Sequence, residues 1–378
     1  GEPVRGARAR FGPVLRGLLK TAIAGGLSWS GADRLWRRRN GDGPWIVGYH
    51  RVVEDVAHCA PRTGPSMLIS RSTLERHLDW IGRRFRLVSL DAIGRELENG
   101  GGAAKPAAAI TFDDGYRDVY HHAVPLLLRR GVPAAVFVIS GLVGTLRPPL
   151  HDRLFLLLSG VSRAGGSPRE VLPDVLRRLR IEPPAAPRPW PAAPDPAVVT
   201  RRLLETFQAA DLERIAADLE ERVPVDRELR EEHLPLTWDM VGEMRRAGFT
   251  IGSHTRRHAL LTGESPGAIA GEVAGSRREL EARLGIPVRH FAYPNGWFDR
   301  AAVRAVADAG YRYAYTTCRH RDPDHPRLTL PRTLLWERSA TGPLGRFSPT
   351  LMGWQAPGAC RPPSGCGPDH ARRAADAS

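Results

Sequence analysis

Two adjacent carboxylates, Asp113 and Asp114, end the run AAAITFDDGY at 107–116, and two histidines four apart, His254 and His258, sit in GSHTRRHALL at 252–261. Two neutral imidazoles and one carboxylate make a three-ligand metal site that leaves positions open for water and substrate. Zinc is the default divalent ion for such a set; iron, cobalt, nickel or manganese fit the same ligands. Each half has a plainer reading. Asp-Asp-Gly is common where a strand turns into a capped helix, and HxxxH is often a pair of surface histidines. A third segment, FAYPNG at 291–296, also ends an apolar run in a turn.

For these groups to meet, their segments must end on one face. AAAITF is a small and β-branched run of the kind buried on both faces of a sheet. Neighbouring side chains on a strand point opposite ways, so Asp113 and Asp114 converge only if the chain turns at Gly115. Strand patterns recur at Trp45–Val53, Arg86–Leu90, Pro133–Ser140, Phe249–His254, His290–Tyr293, Tyr311–Thr317 and Leu328–Thr333. Helical patterns lie between them, among them Asp91–Glu98 with Asp91 as its cap, Asp118–Arg130 and Pro266–Leu284. This alternation predicts a parallel sheet or an α/β barrel, in which the carboxyl ends of the strands share the face where sites form.

The rhythm breaks at residues 144–236, read as a helical insertion with the Pro-rich loop PPAAPRPWPAAPDP and not as a separate catalytic domain. Residues 1–44 form a basic, partly helical leader, 45–340 the main domain, and 341–378 a Gly/Pro-rich tail expected to be poorly ordered.

The 378 residues carry a net charge of +14, with 42% hydrophobic and 25% charged residues, a soluble globular composition. Only Lys20 and Lys105 are lysines, so the positive charge is almost all arginine, and half of the excess lies in residues 1–40. A nucleic-acid partner is therefore not expected. Residues 11–36 mix arginines with Leu, Ile and Trp and could lie on an anionic membrane surface as an amphipathic helix. No apolar run reaches the ~20 residues of a membrane span. Cys59, Cys318, Cys360 and Cys366 have no metal or redox spacing; Cys360 and Cys366 could pair or stay free.

TFDDGY, SHTRRH and FAYPNG together resemble the motifs of the polysaccharide deacetylase family, the NodB homology domain of carbohydrate esterase family 4. YHRV at 49–52, PLLLRRGVPAAVFV at 125–138 and LTWDMVGEM at 236–244 are also similar, so the likeness runs over about 45–335 apart from the insertion. The resemblance implies a distorted, incomplete (β/α) barrel and removal of N-acetyl groups from an N-acetylated poly- or oligosaccharide. It makes Asp114, His254 and His258 the metal ligands and Asp113 the general base. A backbone N–H near Asn295, in the Pro294–Asn295–Gly296 turn, would help to hold the oxyanion, with Tyr293 and Pro294 beside it. Tyr116, Tyr293, Trp297 and Trp238 are candidate sugar-stacking rings.

Two departures stand out. The arginine that many members place two residues before the third motif's proline is Ala292 here, with Arg289 an uncertain substitute. The late leucine-x-histidine motif that supplies the acid is also missing, since Thr329–Arg332 reads TLPR. His50, His320 and His325 are the candidate acids. The departures keep two other readings open: a glycan-binding scaffold that lost turnover, or an O-deacetylase or amidohydrolase for a smaller substrate. A cell-envelope or extracytoplasmic location is favoured over a cytoplasmic one.

Overall fold

A computed structural model of the chain describes residues 43–64, 67–100, 105–183 and 195–357. The basic leader up to residue 42, the stretch 11–36, nearly all of the Pro-rich loop, and Cys360 and Cys366 lie outside the described residues. None of the described helices is long and apolar enough to cross a membrane.

The strands are β1 (Trp45–Tyr49), β2 (Arg51–Val53), β3 (Leu68–Ser70), β4 (Arg86–Leu87), β5 (Ala107–Phe112) and β6 (Ala134–Val138), then β7 (Thr250–Ser253), β8 (His290–Ala292), β9 (Tyr313–Thr316), β10 (Leu330–Pro331) and β11 (Thr333–Leu334). The main sheet runs β10-β9-β8-β7-β6-β5-β1-β11 with every pairing parallel, and β4 adds to β5 beside it. Its two ends are consecutive in sequence, because only Arg332 separates β10 from β11. The pair therefore bridges the gap between β9 and β1, and the sheet becomes a nearly closed barrel. The predicted single strand Leu328–Thr333 is thus two short ones in different places.

Alternation along the strands sorts side chains between two cores. Ile46, Ala109, Ala135, Phe137, Tyr313 and Tyr315 form one apolar cluster with Leu90 and Ile93. The intervening residues, such as Val47, Ile110, Phe112, Val136 and Phe291, pack toward the surrounding helices. Small alanines on β5 and β6 leave room for the large rings opposite them.

Helix α1 (Arg71–Arg84) buries Leu74, Leu78 and Ile81, and α2 (Leu90–Asn99) follows β4. The cap of α2 is Ser89, whose side chain accepts from the Ala92 amide, so the predicted cap at Asp91 is displaced by two residues. A π-turn at Val119–Ala123 precedes α3 (Val124–Arg129) and takes in the approach to Pro125, which has no N–H to donate. Helices α4 (Leu150–Arg163), α5 (Pro168–Leu179), α6 (Pro196–Thr206) and α7 (Ala209–Glu220) lie in the insertion, with a further short turn of helix at Arg227–Glu231. They bury Leu154, Leu158, Leu172, Val175, Leu203, Ile215 and Leu219 against one another in a core of their own. The barrel resumes with α8 (Trp238–Arg246), α9 (Pro266–Leu284) and α10 (Arg300–Asp308).

The expectation of a poorly ordered tail does not hold for residues 341–357. Helix α11 (Pro349–Gln355), capped by Ser348, buries Met352 completely in the main core. Composition misled there because a seven-residue helix needs few apolar residues once a groove is waiting for them. Cys318, just beyond β9, is buried and disulfide-bonded, whereas Cys59 is free.

Candidate active site

The carboxyl ends of β1, β5, β7 and β8 bring the reactive segments together. β5 ends at Phe112, and the Asp113 amide still donates to the Tyr49 carbonyl at 2.8 Å, which holds the strand end against β1. Asp114 and Gly115 then both adopt the left-handed conformation, at φ 67° and 72°. The turn is thus made by Asp114 as well as Gly115, and it places both carboxylates in the interior at 2% exposure. A side chain at Gly115 would meet Val138 at 3.0 Å, so glycine is required there by packing as well as by φ.

His254 follows the last residue of β7. Its Nδ1 lies 2.8 Å from the Ala292 carbonyl, which can only accept, so Nδ1 carries the proton and Nε2 keeps its lone pair. That Nε2 is 3.5 Å from Asp114 Oδ1, and His258 Nε2 is 3.3 Å from the same oxygen. Asp114, His254 and His258 place one ligand atom each within 4.8 Å of one another. Both Asp114 oxygens are buried without a hydrogen-bond partner. A buried carboxylate with nothing to satisfy it is costly. Burial, together with the charges of Asp113 and Asp152, holds its proton affinity well above the ordinary carboxylate range. Burial pushes His254 down to about 4 and His258 well below its usual value. Neutral imidazoles around an unpaired carboxylate fit a divalent cation, which would satisfy all three at once.

The SHTRRH loop is shaped by contacts outside its motif. Thr255 and His258 both have φ 64°, a conformation that costs a β-branched residue about 1–3 kcal/mol. Glu272, on α9 and 1% exposed, offsets that cost by accepting from the Arg256 and Arg257 amides at 3.0 and 2.8 Å and from the Arg257 side chain at 2.7 Å. The Thr255 hydroxyl accepts from the His258 amide at 2.9 Å. Glu272→Ala would leave the two amides without their acceptor, and should lower stability by about 1–3 kcal/mol and weaken binding of divalent metal. Thermal unfolding and a metal titration check both effects.

Asp113 has a different environment. Arg332 reaches it with two parallel bonds, Nη1 to Oδ1 at 2.7 Å and Nη2 to Oδ2 at 2.8 Å, both partners being buried. Burial alone would raise the Asp113 proton affinity, but the charges of Arg332 and His254 outweigh it and keep the carboxyl below its usual range. Arg332 is the single residue between β10 and β11, so barrel closure delivers it. Arg289, the candidate substitute, precedes β8 at the opposite end and lies 3.7 Å from Asp91, half-exposed. That expectation is corrected. Ala292 supplies the backbone carbonyl that orients His254 in place of a charged side chain.

His50 occupies the break between β1 and β2, which the sequence pattern joined into one strand. Its neighbours are fixed: the Tyr49 hydroxyl is 3.2 Å from His77, and Arg51 donates to Asp118 at 2.7 Å. Burial takes His50 down to about 4, with Asp113 pulling it up and Arg332 and His151 pushing it further down. The other two candidate acids lie on the 318–329 loop and have partners of their own. His320 stacks on Phe298 at 4.6 Å, and His325 pairs with Asp322 at 3.4 Å.

The aromatic expectations divide. Tyr293 is fully buried and its hydroxyl donates to the Leu328 carbonyl at 3.0 Å, so it is a core residue and no sugar platform. Pro294 is also buried. Tyr116 is 1% exposed and its hydroxyl donates to Asp152 at 2.6 Å, which rules out stacking. Asn295 is exposed, with φ 55°, and Trp297 is half-buried beside it. Trp238 is half-buried with the Arg283 guanidinium 5.3 Å from its ring centre.

Two residues at the site come from the insertion and went unread in the sequence. His151, on the first turn of α4, has Nε2 2.8 Å from the Tyr116 hydroxyl and 3.9 Å from Asp114 Oδ2. Asp152 is buried beside it. No motif or periodicity distinguishes them from other helix-start residues.

A parallel barrel with a carboxylate–bis-imidazole set and a second, arginine-held carboxylate at its strand ends defines a metallohydrolase-like class. Comparison with known proteins narrows this. The profile of the family described as polysaccharide deacetylase matches residues 100–182 and 194–314, more than half of the chain, and the protein belongs to that family. It is 27% identical over 130 residues to the uncharacterized protein SCO4760 of Streptomyces coelicolor, covering 28% of this chain and 52% of the relative. The chain thus spans about half the length of that curated relative. Its fold is similar to that of the Streptococcus pyogenes deacetylase PplD in complex with acetate, at TM-score 0.50 and 17% identity over 80% of this chain and 95% of that one. IcaB from Ammonifex degensii is similar to the same degree, at TM-score 0.50 and 19% identity over 83% of this chain and 97% of that one.

Proposed function

We propose that the protein is a metal-dependent N-deacetylase that removes acetyl groups from an N-acetylated glycan of the exopolysaccharide, peptidoglycan or chitin type. The observation that carries this reading is the division of labour between neighbouring aspartates. Asp114 is unpaired among two neutral imidazoles, whereas Asp113 is held ionised by Arg332. One is disposed to bind a cation and the other to take a proton.

Asp114, His254 and His258 would hold the ion, which when bound supplies a Lewis acid and acidifies a water. Asp113, fixed by both Arg332 bonds, accepts a proton in a defined direction and cannot swing away. His254 stays oriented by the Ala292 carbonyl, so its Nε2 remains a donor to the ion. His50, at the β1–β2 break, is the group that would move a proton to the leaving nitrogen. A backbone N–H at the exposed Asn295 turn would take the oxyanion, and Trp297 would wall the glycan groove. The family acts on polysaccharides, which favours a glycan over a smaller amide or ester. An extracytoplasmic setting, with residues 11–36 touching the membrane, would suit a cell-envelope substrate.

The test is acetate release. Protein loaded with zinc or cobalt should release acetate from chitooligosaccharide or poly-N-acetylglucosamine, and the chelated protein should not. Binding of the glycan without acetate release would replace this reading with a scaffold. Release from acetyl esters alone would make it an O-deacetylase.

A further inference from the structure

One aromatic ring stands at the rim of the barrel outside its cores. Among the described residues the exposed large hydrophobic side chains are Leu128, Leu146, Val198, Leu344 and Trp336, and only Trp336 is aromatic. It follows the end of β11 by two residues. The Leu335 amide between them still donates to the Gly48 carbonyl at 2.8 Å. Side chains alternate there, so Leu335 enters the core at 2% exposure and the indole is left outside at 36%.

The turn that carries the ring is held by polar bonds on both sides. The Glu337 carboxylate accepts from the Ser70 amide at 2.7 Å and the Thr73 hydroxyl at 2.8 Å, at the start of α1. The Trp336 amide donates to the Ser339 hydroxyl at 2.8 Å, and Gln355 of α11 donates to the Ser339 carbonyl at 2.8 Å. The indole is therefore presented on a fixed support, and little conformational freedom remains to be lost when something covers it.

The strand order sets its place relative to the chemistry. Extending the parallel Gly48–Leu334 register by two residues brings Trp336 level with His50. Arg332, which holds Asp113, is four residues earlier, at most about 14 Å along the chain. The order β8-β7-β6-β5-β1-β11 puts Asp114, His254 and His258, at the exits of β5 and β7, between two indoles. One is Trp297, past the turn at the exit of β8, and the other is Trp336. A polymer whose acetamide reaches Asp113 has to cross this rim. Its pyranose units have an apolar face of C–H groups, which an indole covers with its flat, electron-rich face while the hydroxyls stay in water.

We propose that Trp336 is a sugar-stacking platform that holds a glycan unit neighbouring the one deacetylated, so that the enzyme favours longer chains. This rests on the glycan reading above and adds to it a second point of attachment, on the β11 side of the site.

The experiment compares the dimer and the pentamer of N-acetylglucosamine, β1,4- or β1,6-linked according to which releases acetate. Binding to the chelated full chain is read by calorimetry, and KM and kcat are read on the metal-loaded protein. Wild type should bind the pentamer more tightly than the dimer. Trp336→Ala and Trp336→Gln should shrink that gain by roughly 3–10-fold, with the loss in KM for the pentamer more than in kcat. Trp336→Tyr should keep most of it. A pentamer-to-dimer ratio in Trp336→Ala equal to wild type would overturn the inference and leave the deacetylase reading intact. So would an equal loss on both lengths, because a platform beside the cleaved unit acts through chain length. A metal-loaded wild-type protein that releases no acetate and binds neither oligomer would overturn both.

Discussion

Asp113→Asn should cut acetate release by about 10²–10⁴-fold while the protein still binds its equivalent of divalent metal. The amide cannot accept a proton at neutral pH, but it keeps the shape of the carboxylate and one acceptor for Arg332. Asp114, His254 and His258 are untouched. Asp114→Ala should give the opposite pattern: metal content falls first, and activity is lost because the metal is gone. Metal analysis beside steady-state kinetics separates the two. Near-normal turnover in Asp113→Asn would show that the proton goes elsewhere, and the assignment of Asp113 as base would fall. The substitution also leaves Arg332 buried without its counter-charge, so stability should drop, and Asp113→Asn with Arg332→Met should recover part of it.

Arg332→Ala is the second large effect. Breaking a buried, bidentate ion pair by removing one partner costs about 3–5 kcal/mol, to be read from denaturant unfolding. Turnover should fall as well, because the carboxylate loses its fixed direction. The pH dependence carries the sharper signature. Arg332 keeps the Asp113 carboxyl below the ordinary range. A depressed carboxylate contributes stability that is fully present above the unfolded value of about 3.9 and is lost as pH falls through the lower, folded value. Without Arg332, burial dominates and the Asp113 proton affinity rises. The acid limb of the pH–rate profile should then move to higher pH, and Asp113 should no longer contribute to the loss of stability in acid, because a raised carboxyl protonates preferentially in the folded state. Arg332→Lys should restore the charge without the two-point hold, so the limb should return part of the way while turnover stays low. An unmoved acid limb in Arg332→Ala would show that the pair does not tune the base.

The two predictions differ in what made them visible. Asp113 stands in a local pattern, a small-residue strand ending in Asp-Asp-Gly, and its neighbours in sequence announce it. Arg332 stands in TLPR, where the sequence shows only that a histidine is missing. What makes Arg332 matter is that β10 pairs with the nearby β9, Leu330 against Tyr315, while β11 pairs with β1 from the far end of the domain, Thr333 against Val47. Glu272 is similar. It is one acid on the long, correctly bounded helix Pro266–Leu284, and its role exists only because that helix packs behind the SHTRRH loop.

The sequence by itself determined the elements whose signals are local. It contained the parallel character of the sheet, most of the barrel strands and the helices between them, the acid pair, and the HxxxH turn, because propensity, periodicity and motif spacing act over a few residues. It also contained the family, through three motifs that each fit a strand end. Only the tertiary structure decided which arginine holds Asp113, that His50 sits in a strand break, that Tyr116 and Tyr293 are structural, and that His151 and Asp152 of the insertion reach the site. Those facts depend on how the barrel closes and how two cores dock. Distances between residues far apart in the chain are set by the packing of the whole and leave no mark on any short stretch of sequence.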